Sequence, residues 1–406
     1  MPSYGRHKRT EARYRFFATA AKGLEPIVAN ELRALGAAGV KEERGGASFE
    51  GSPATAYRAC LWLRAANRVL YPIARFKAAD DTSLYDGIRK LPWENDLSPD
   101  GSLAVQFSGT TAGITHTQFG AQRVKDAVVD RFRERFGRRP DVDRERPDLL
   151  INCHVHRDVA IVSIDLSGES LHMRGYRAES VAAPLKETLA AALLLKCGWA
   201  DIAKRGGSFV DPLCGSGTLA IEAALIAGDI APGLWRHRWG FSRWLRHDAE
   251  TWETILREAQ RSKTDGMKKI PVILGFDRDA KAVDTAQNNA RAIGLGAATQ
   301  FRSVALESNR LPPRLHPGLV VTNPPYGERL GDADKLGTLY AALGNWLKNQ
   351  CLGWHAGVIT SNPELGRQIG LRARKINTFY NGALECKLLQ FDVTPDWFMR
   401  EKSAAT

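Results

Sequence analysis

The 406-residue sequence contains no hydrophobic run long enough to cross a membrane as a helix. Its longest apolar stretch, Leu189–Leu195, falls well short of the ~18 residues that a membrane span requires. The basic residues near the N-terminus are not followed by an apolar segment, so a secretory signal is not expected.

The six cysteines form no CxxC pair, and the nine histidines form no HExxH motif. Zinc-ribbon, zincin and disulfide-framework proteins are therefore disfavoured. His154 and His156 alternate on a predicted strand, where a plain strand surface is the main interpretation and a metal site the minor one. We expect no metal and a reduced, cytoplasmic setting.

Acidic residues are outnumbered, because 57 lysines and arginines face 45 aspartates and glutamates. The formal net charge is +12, divided into +6 for residues 1–200 and +6 for residues 201–406. An excess shared by both halves is expected of a protein that binds a polyanion such as nucleic acid. Many soluble proteins are also modestly basic, so charge alone leaves both interpretations open.

The predicted elements divide the chain into two parts. The first mixes strands and helices, and includes a long helix over Thr117–Phe136 with Phe119 in its apolar stripe, followed by a hairpin of Leu149–His156 and Val159–Asp165. After Leu185 the pattern becomes strand, glycine-rich turn and helix, repeated. This alternation predicts a parallel sheet covered on both faces.

The first chemical motif is the segment DPLCGSGT, Asp211–Thr218, which follows an apolar strand. Gly215 and Gly217 allow a tight turn and a close approach to a ligand. The motif lacks the third glycine of GxGxxG and the GKT of a P-loop, so it does not predict a phosphate site. The Asp211 carboxylate would repel a pyrophosphate but could meet the sulfonium or ammonium of S-adenosylmethionine (AdoMet).

The second motif places Asp277 at the end of the next strand, where an acid can bind both ribose hydroxyls of an adenosine. Asp211 and Asp277 are 66 positions apart, far more than the usual ~20. An insertion is therefore predicted between them. Asp279 suits the N-cap of the following helix, which leaves Asp277 for a ligand.

The third motif is NPPY, which directly follows the apolar strand Leu319–Val321 and Thr322. The Asn323 amide oxygen and the Pro324 carbonyl can each accept an N–H from a planar exocyclic amine. Pro325 helps to fix the backbone, and Tyr326 can stack on the base. Such a pocket requires a splayed or flipped base. The alternative, a structural Pro-Pro turn, is much less specific.

The insertion interleaves aromatic residues with arginines between Leu234 and His247. Aromatic rings stack on unpaired bases and arginines pair with phosphates, so this mixture is typical of a surface for single-stranded RNA. Packing of the tryptophans against their own protein is an equally weighted alternative. The residues predicted here to contact RNA are Arg236, Arg238, Trp239, Arg243 and Trp244, together with Arg131, Arg135, Arg138 and Arg139 from the basic end of the long helix.

Taken together, these segments resemble the bacterial 23S rRNA guanine-N2 methyltransferase family. The similar segments are LHMRGYR (Leu171–Arg177), PLKETLAAALL (Pro184–Leu194), DPLCGSGTLAIEAA (Asp211–Ala224), APGLWRHRWGFSRW (Ala231–Trp244), FDRDAKAVDTAQNNA (Phe276–Ala290) and TNPPYGERLG (Thr322–Gly331). The resemblance implies an α/β fold: a Rossmann-like class I methyltransferase domain with a mostly parallel seven-stranded sheet, preceded by an α+β ferredoxin-like and THUMP module. Some members carry a second fused methyltransferase, which this chain is expected to lack.

The resemblance also implies boundaries and roles. The expected units are a ferredoxin-like segment (1–66), a THUMP RNA-binding domain (67–166), a linker (167–183), a methyltransferase domain (184–398) with an RNA-facing insertion (229–269), and a tail (399–406). Asp211, Leu213, Cys214, Gly215, Gly217 and Thr218 would surround the methionine part of AdoMet. Asp277 would bind the ribose, with Arg278 beside the adenine, and Asn323 would border both the cofactor and the target guanine. Ala305 stands where an acid is expected for the adenine amino group, so Glu307 or a backbone carbonyl would have to replace it.

The implied activity is methylation of a guanine N2 amine in 23S rRNA, or in a large-subunit precursor, with AdoMet as methyl donor. Two alternatives remain at this point: a tRNA guanine-N2 methyltransferase, and a non-catalytic RNA-binding assembly factor. Intact glycine, acidic and NPPY motifs in one chain disfavour the second alternative.

Overall fold

The computed structural model describes residues 13–111, 113–177, 185–325 and 333–399. Its strands are β1 (Tyr14–Thr19), β2 (Ala38–Glu43), β3 (Gly46–Gly51), β4 (Arg68–Lys77), β5 (Ser102–Gly109), β6 (Asp141–Val142), β7 (Leu149–His156), β8 (Val159–Asp165), β9 (Phe209–Asp211), β10 (Ile273–Asp277), β11 (Gln300–Ser303), β12 (Leu319–Thr322), β13 (His355–Thr360), β14 (Lys375–Asn381) and β15 (Leu384–Asp392). Its helices are α1 (Glu25–Ala34), α2 (Pro53–Trp62), α3 (Asp81–Arg89), α4 (Thr117–Phe136), α5 (Glu187–Lys196), α6 (Trp199–Lys204), α7 (Thr218–Ala227), α8 (Ala249–Gly266), α9 (Ala280–Ala292), α10 (Ala333–Gln350) and α11 (Pro363–Gln368). None of these helices is long and apolar enough to cross a membrane.

The first eight strands form one sheet in the order β2-β3-β1-β4-β8-β7-β5-β6. The ten-residue strand β4 pairs antiparallel with β1 through its first residues and with β8 along most of its length. This single strand therefore joins the ferredoxin-like and THUMP parts into a continuous sheet. The predicted hairpin of β7 and β8 is confirmed, and its turn residues Arg157 and Asp158 both have positive φ, as a two-residue turn of this hand requires.

The last seven strands form a second sheet in the order β11-β10-β9-β12-β13-β15-β14. The five strands from β11 to β13 are parallel, and the antiparallel strand β15 lies between β13 and β14. The predicted mostly parallel seven-stranded sheet is confirmed. Helix α5 precedes this sheet, and its residues Leu189–Leu194 are all buried, as expected of a helix that is packed on every side.

One expectation about the long helix α4 was wrong. Phe119 was placed in its buried stripe, but 43% of this side chain is exposed. The rest of the predicted stripe, Val124, Ala127, Val128 and Phe132, is buried. In the first turn the neighbouring Gly120 is the residue that lies buried against the Phe107 ring of β5, so Phe119 lies on a more exposed face of the helix.

The insertion packs its aromatic side chains inside the protein. Phe241 is fully buried, with its ring centroid 4.4 Å from that of Tyr57 in α2. Trp239 lies parallel to Phe241, and Trp244 donates from Nε1 to Asp96 Oδ1 at 2.8 Å. Only 5% of Trp239 and 7% of Trp244 is exposed, so these two rings cannot stack on bases as predicted. The packing alternative is the correct one for them.

Arg236 also has a structural role in place of the predicted RNA contact. Its guanidinium donates to four backbone carbonyls, those of Ser167, Glu169, Ser170 and Met173, at 2.7–3.1 Å. Burial lowers the pKa of Arg236 to about 10. Through these four hydrogen bonds, Arg236 fixes residues 167–173, which are part of the predicted linker 167–183, against the insertion.

A buried ionic junction connects the three parts of the chain, and we define it as Glu31, Arg64, Arg174 and Glu222. Arg174 donates to the Arg64 carbonyl at 2.6 Å and to Glu222 Oε1 at 3.4 Å. Glu31 accepts from the backbone N–H groups of Arg64 and Ala65. Arg174 and Glu222 are almost completely buried. This one set of charges thus connects four places in the fold: α1, the end of α2, the segment before α5, and α7.

We expect Arg174→Met to lower the free energy of unfolding by about 3–5 kcal/mol, because it leaves the Glu222 carboxyl buried without its cation. Burial already raises the pKa of Glu222, and loss of Arg174 should raise it further. A folded-state pKa above the unfolded value means that stability falls as pH rises, so the deficit should grow from pH 5 to pH 8.

Urea unfolding at the two pH values measures this effect, with Arg15→Met as the matched control. Arg15 pairs with Glu43 at the surface, and 66% of its side chain is exposed, so its loss should cost less than about 1 kcal/mol. Equal effects of the two substitutions would contradict the proposed importance of the junction.

Candidate functional site

The three sequence motifs meet at one edge of the second sheet. Strand β9 pairs in parallel with β10 on one side and with β12 on the other, with Asp211 opposite Gly275 and Val210 opposite Val320. Parallel strands end at the same edge, where open α/β sheets bind their ligands. The residues that follow β9, β10 and β12 are therefore neighbours, as the sequence predicted.

The glycine turn between β9 and α7 combines one open and one crowded position. Gly215 has φ +51°, and a Cβ placed there would meet nothing within 4 Å. Gly217 has φ +83°, and a Cβ there would lie 2.8 Å from the Ala286 side chain. Gly217 thus permits close packing on α9, whereas Gly215 borders space that a ligand could occupy.

Three hydrogen bonds fix the conformation of this turn. The N–H of Gly215 donates to Asp277 Oδ2 at 2.9 Å, and the N–H of Cys214 donates to the Phe276 carbonyl at 2.7 Å. Asn289 of α9 donates to the Ser216 carbonyl at 3.1 Å. Asn289 is nearly completely buried and was not singled out from the sequence, because only its contact with the turn distinguishes it from other helix residues.

Asp211 is a buried carboxyl group at the start of the turn. Burial raises its pKa to about 7, and the nearby charge of Asp277 acts in the same direction. The Thr322 hydroxyl and the Leu213 N–H oppose this rise. A nearby cation stabilises the ionised form of such a buried carboxyl group. The sulfonium and the ammonium of AdoMet are cations of this kind.

In the second acidic motif, the predicted capping role of Asp279 is confirmed, because it accepts from the Lys281 N–H of α9 at 2.9 Å. Asp277 is partly exposed, and its oxygens accept from the N–H groups of Gly215 and Asp279. Each oxygen retains capacity for a ribose hydroxyl. Arg278 is exposed beside it, as is Glu307 after β11.

The amide oxygen of Asn323 is buried and has no hydrogen-bond partner among the described residues. Buried acceptors normally have partners, so an unpaired one at a strand end suggests that a donor is supplied by a ligand. Pro324 is buried and Pro325 is exposed. Tyr326, which the sequence assigned to base stacking, lies outside the described residues.

A cleft of about 2820 Å³ runs between the THUMP part and the methyltransferase part. Its lining includes eleven lysines and arginines but only six aspartates and glutamates, so it attracts a polyanion. Of the predicted RNA-binding residues, it is lined by Arg139, Arg236, Arg238, Trp239 and Arg243.

The other predicted RNA contacts do not line this cleft. Arg131 forms a bidentate pair with Glu94, which also accepts from Arg135, and Arg138 pairs with Asp100. Trp244 is buried on the other side of the insertion, near Tyr71. Sequence reasoning missed Lys186, Arg144 and Arg146, which do line the cleft.

His154 and His156 share one strand face, with their ring centroids 6.5 Å apart. His154 is hydrogen-bonded to the Ser108 hydroxyl at 2.9 Å. Among the residues that the structure describes, no three His, Cys, Asp or Glu side chains are grouped as a metal site.

Residues 174–390 match the family described as RMKL-like, methyltransferase domain, and this match covers more than half of the chain. The chain belongs to this methyltransferase family. Residues 15–70 match the RlmL ferredoxin-like domain, and residues 78–165 match the THUMP domain. The family resemblance and the fold class expected from the sequence are confirmed.

Two curated relatives are both named ribosomal RNA large subunit methyltransferase K/L. The chain is 55% identical to the protein of Syntrophotalea carbinolica over 390 residues, which is 96% of this chain and 55% of the relative. It is 51% identical to that of Methylococcus capsulatus over 389 residues, 96% of this chain and 52% of the relative. The chain thus spans about half the length of these relatives.

Solved structures agree with the fold. SMU.472, crystallised with SAH, has a TM-score of 0.82 at 32% identity, covering 97% of this chain and all of that one. A Listeria monocytogenes protein described as a predicted N6-adenine-specific DNA methylase has a TM-score of 0.82 at 34% identity. The match covers 94% of this chain and 96% of that one. TrmN from Thermus thermophilus has a TM-score of 0.67 at 22% identity, and the match covers 94% of this chain and 99% of that one. This similarity shows the shared fold alone.

The cofactor prediction is confirmed by the family match and the SAH-bound relative: the cofactor is AdoMet. The described residues fit it, because a buried carboxyl group, an open glycine and a second acid surround one turn. The individual contacts assigned to Leu213, Cys214 and Thr218 remain predictions, as do the adenine contacts near Ala305.

We expect Asp211→Asn to lower AdoMet affinity while raising the stability of the cofactor-free protein. Because the folded-state pKa of Asp211, about 7, lies above its unfolded value, ionisation destabilises the fold and wild-type stability falls as pH rises toward 7. The variant should gain up to about 4 kcal/mol at pH 8 and only about 1–2 kcal/mol at pH 5.

Denaturant unfolding at both pH values, combined with titration of AdoMet, tests this prediction. A variant that is less stable than the wild type at pH 8 would show that Asp211 has a structural rather than a ligand-binding role. Asp279→Asn is a suitable control, since Asp279 is exposed and asparagine also caps helices.

Proposed function

We propose that this chain methylates the exocyclic N2 amine of a guanine in 23S rRNA, or in a large-subunit precursor, using AdoMet. The observation that carries the proposal is the buried, unpartnered Asn323 oxygen at the edge of the sheet that also bears Asp211 and the glycine turn. The names of the K/L relatives support ribosomal RNA as the substrate.

The chemistry assigned to the site is positioning. AdoMet, when bound, supplies an electrophilic methyl group. Asn323 Oδ1 and the Pro324 carbonyl would accept the two N–H bonds of the amine, which directs its lone pair toward the methyl group. Correct orientation of two reactants can supply most of a rate enhancement, so a strong general base is not required. As the new N–C bond forms, the bond between the methyl group and the sulfonium sulfur would break, S-adenosylhomocysteine would leave, and the amine would release one proton to solvent.

RNA would reach this site along the cleft. Arg139 and Arg243 line it with exposed side chains, and Arg238 is partly exposed there. The cleft extends to Lys186 and Arg177, beside the glycine turn. A polynucleotide bound to the THUMP part could therefore deliver one flipped base to Asn323.

Methylation of rRNA and tRNA with labelled AdoMet, followed by mass mapping of nucleosides, tests the proposal. We expect label in N2-methylguanosine of 23S rRNA. Label in tRNA with 23S rRNA unmodified would favour the tRNA alternative, and N6-methyladenine would show that the NPPY pocket accepts a different base. If titration calorimetry detected no binding of AdoMet to the protein, the result would favour a non-catalytic assembly factor.

We expect Asn323→Ala to retain AdoMet binding and to lose about 10²–10³-fold in turnover, the effect of removing one pre-organised hydrogen-bonding group. Single-turnover methylation measures the loss, and titration calorimetry measures AdoMet affinity. Asn323→Asp preserves an acceptor oxygen and should be less impaired. Near-normal turnover of Asn323→Ala would refute the role of this side chain.

For the cleft, we expect the double substitution Arg139→Gln and Arg243→Gln to weaken RNA binding and to reduce the slope of log K against log salt by about two, one for each lost phosphate contact. Arg135→Gln is the matched control, since 57% of this side chain is exposed and it lies outside the cleft lining. An equal effect of Arg135→Gln would instead place RNA on the outer face of α4.

A further inference from the structure

Arg177 connects the cleft to the glycine turn. Its Nε donates to Glu187 Oε1 at 2.6 Å, and its Nη2 donates to the Leu185 carbonyl at 2.9 Å and to the Thr218 hydroxyl at 2.7 Å. Thr218 is the first residue of α7 and directly follows Gly217. Three groups from two elements thus hold the guanidinium in one orientation.

The remaining guanidinium nitrogen, Nη1, is buried and has no hydrogen-bond partner among the described residues. An unsatisfied buried donor costs about 1–3 kcal/mol, and more when it is charged. Such a group is uncommon in folded proteins, and it calls for an acceptor other than those that the described residues provide. An anionic acceptor would suit this nitrogen best, because hydrogen bonds between two charged groups are about twice as strong as neutral ones.

Glu187 helps to hold the Arg177 side chain in this orientation. Burial would raise the pKa of Glu187, but the hydrogen bond from His172 and the charges of Arg177 and Arg174 lower it overall. Glu187 is therefore a carboxylate whose two oxygens face His172 and Arg177. One acid compensates the Arg177 charge but leaves Nη1 free for a ligand.

The charges around the turn leave one part of AdoMet without a partner. Asp211 and Asp277 suit its cationic groups and its ribose, and both would repel its carboxylate. Among the charged side chains whose contacts the structure describes here, Arg177 is the cation bonded directly to the turn. We propose that Arg177 binds the methionine carboxylate of AdoMet, an inference that rests on the AdoMet-dependent activity proposed above.

An RNA phosphate is the competing ligand, because Arg177 also lines the cleft. The carboxylate is favoured because only 16% of the side chain is exposed and Nη1 is fully enclosed. In addition, Nη2 of the same guanidinium is bonded to Thr218, which directly follows the glycine turn. A phosphate in the open cleft would more readily meet exposed arginines.

Paired titrations with AdoMet and decarboxylated AdoMet test the proposal, since the two ligands share every group except the carboxylate. The wild-type protein should prefer AdoMet by about 10- to 100-fold, as expected for a charge-assisted hydrogen bond. The Arg177→Gln variant should prefer AdoMet by no more than about threefold, because most of the hydrogen bond to the carboxylate is lost. Affinity for the decarboxylated ligand should stay unchanged. Arg177→Lys should retain part of the preference.

Arg278→Gln is the matched control, because a residue beside the adenine should affect both ligands equally and leave the preference intact. A full preference for AdoMet in Arg177→Gln would overturn the inference, and reduced RNA affinity of that variant would then assign Arg177 to a phosphate. A wild-type protein that binds AdoMet without preferring it would also overturn the inference while sparing the proposed function. Failure of the wild type to bind either ligand would overturn both.

Discussion

The arrangement of the whole chain depends on the buried junction of Glu31, Arg64, Arg174 and Glu222. Four charged side chains are costly to remove from water, and they are tolerable only when each finds partners of the opposite charge or backbone groups. Arg174 satisfies this condition because it donates both to the backbone carbonyl of Arg64 in the ferredoxin-like part and to the Glu222 carboxylate in α7. The junction therefore fixes the ferredoxin-like part relative to α7, the helix that begins at the glycine turn, since displacement would separate buried charges from their partners.

The same segment that supplies Arg174 also supplies Arg177, three residues later. Arg236 holds the start of this segment through four carbonyls, and Arg177 reaches Thr218 at the other end. A stretch expected to be a linker is thus a rigid connection between the insertion, the cleft and the glycine turn. This explains why the cleft ends at the turn, and it gives the proposed RNA path a fixed distance to the proposed methyl-transfer site.

Local patterns were sufficient to predict the strand ends and the capping role of Asp279, because these depend on backbone geometry. The meeting of the three motifs followed from the family resemblance. They could not assign Trp239, Trp244 and Arg236, because the same mixture of rings and arginines serves equally well to stack on RNA or to fill an interface. Only the tertiary partners, Phe241, Asp96 and the carbonyls of residues 167–173, decide between these uses. Asn289 and Arg177 were missed for the same reason: each acts through a contact far away in sequence.

Three groups near the glycine turn are poorly stabilised by the residues that the structure describes: the ionised form of Asp211, Arg177 Nη1 and Asn323 Oδ1. Their chemistry is complementary to different parts of the proposed reactants, since an anion suits the sulfonium and ammonium, a cation suits a carboxylate, and an acceptor suits an amine. In the junction, Arg174 reaches comparable burial with each of its nitrogens bonded. Buried atoms without a described partner also occur away from the turn, at Glu222 Oε2 and Arg236 Nε. It is therefore the grouping of three chemically complementary groups around one turn that argues for a binding role.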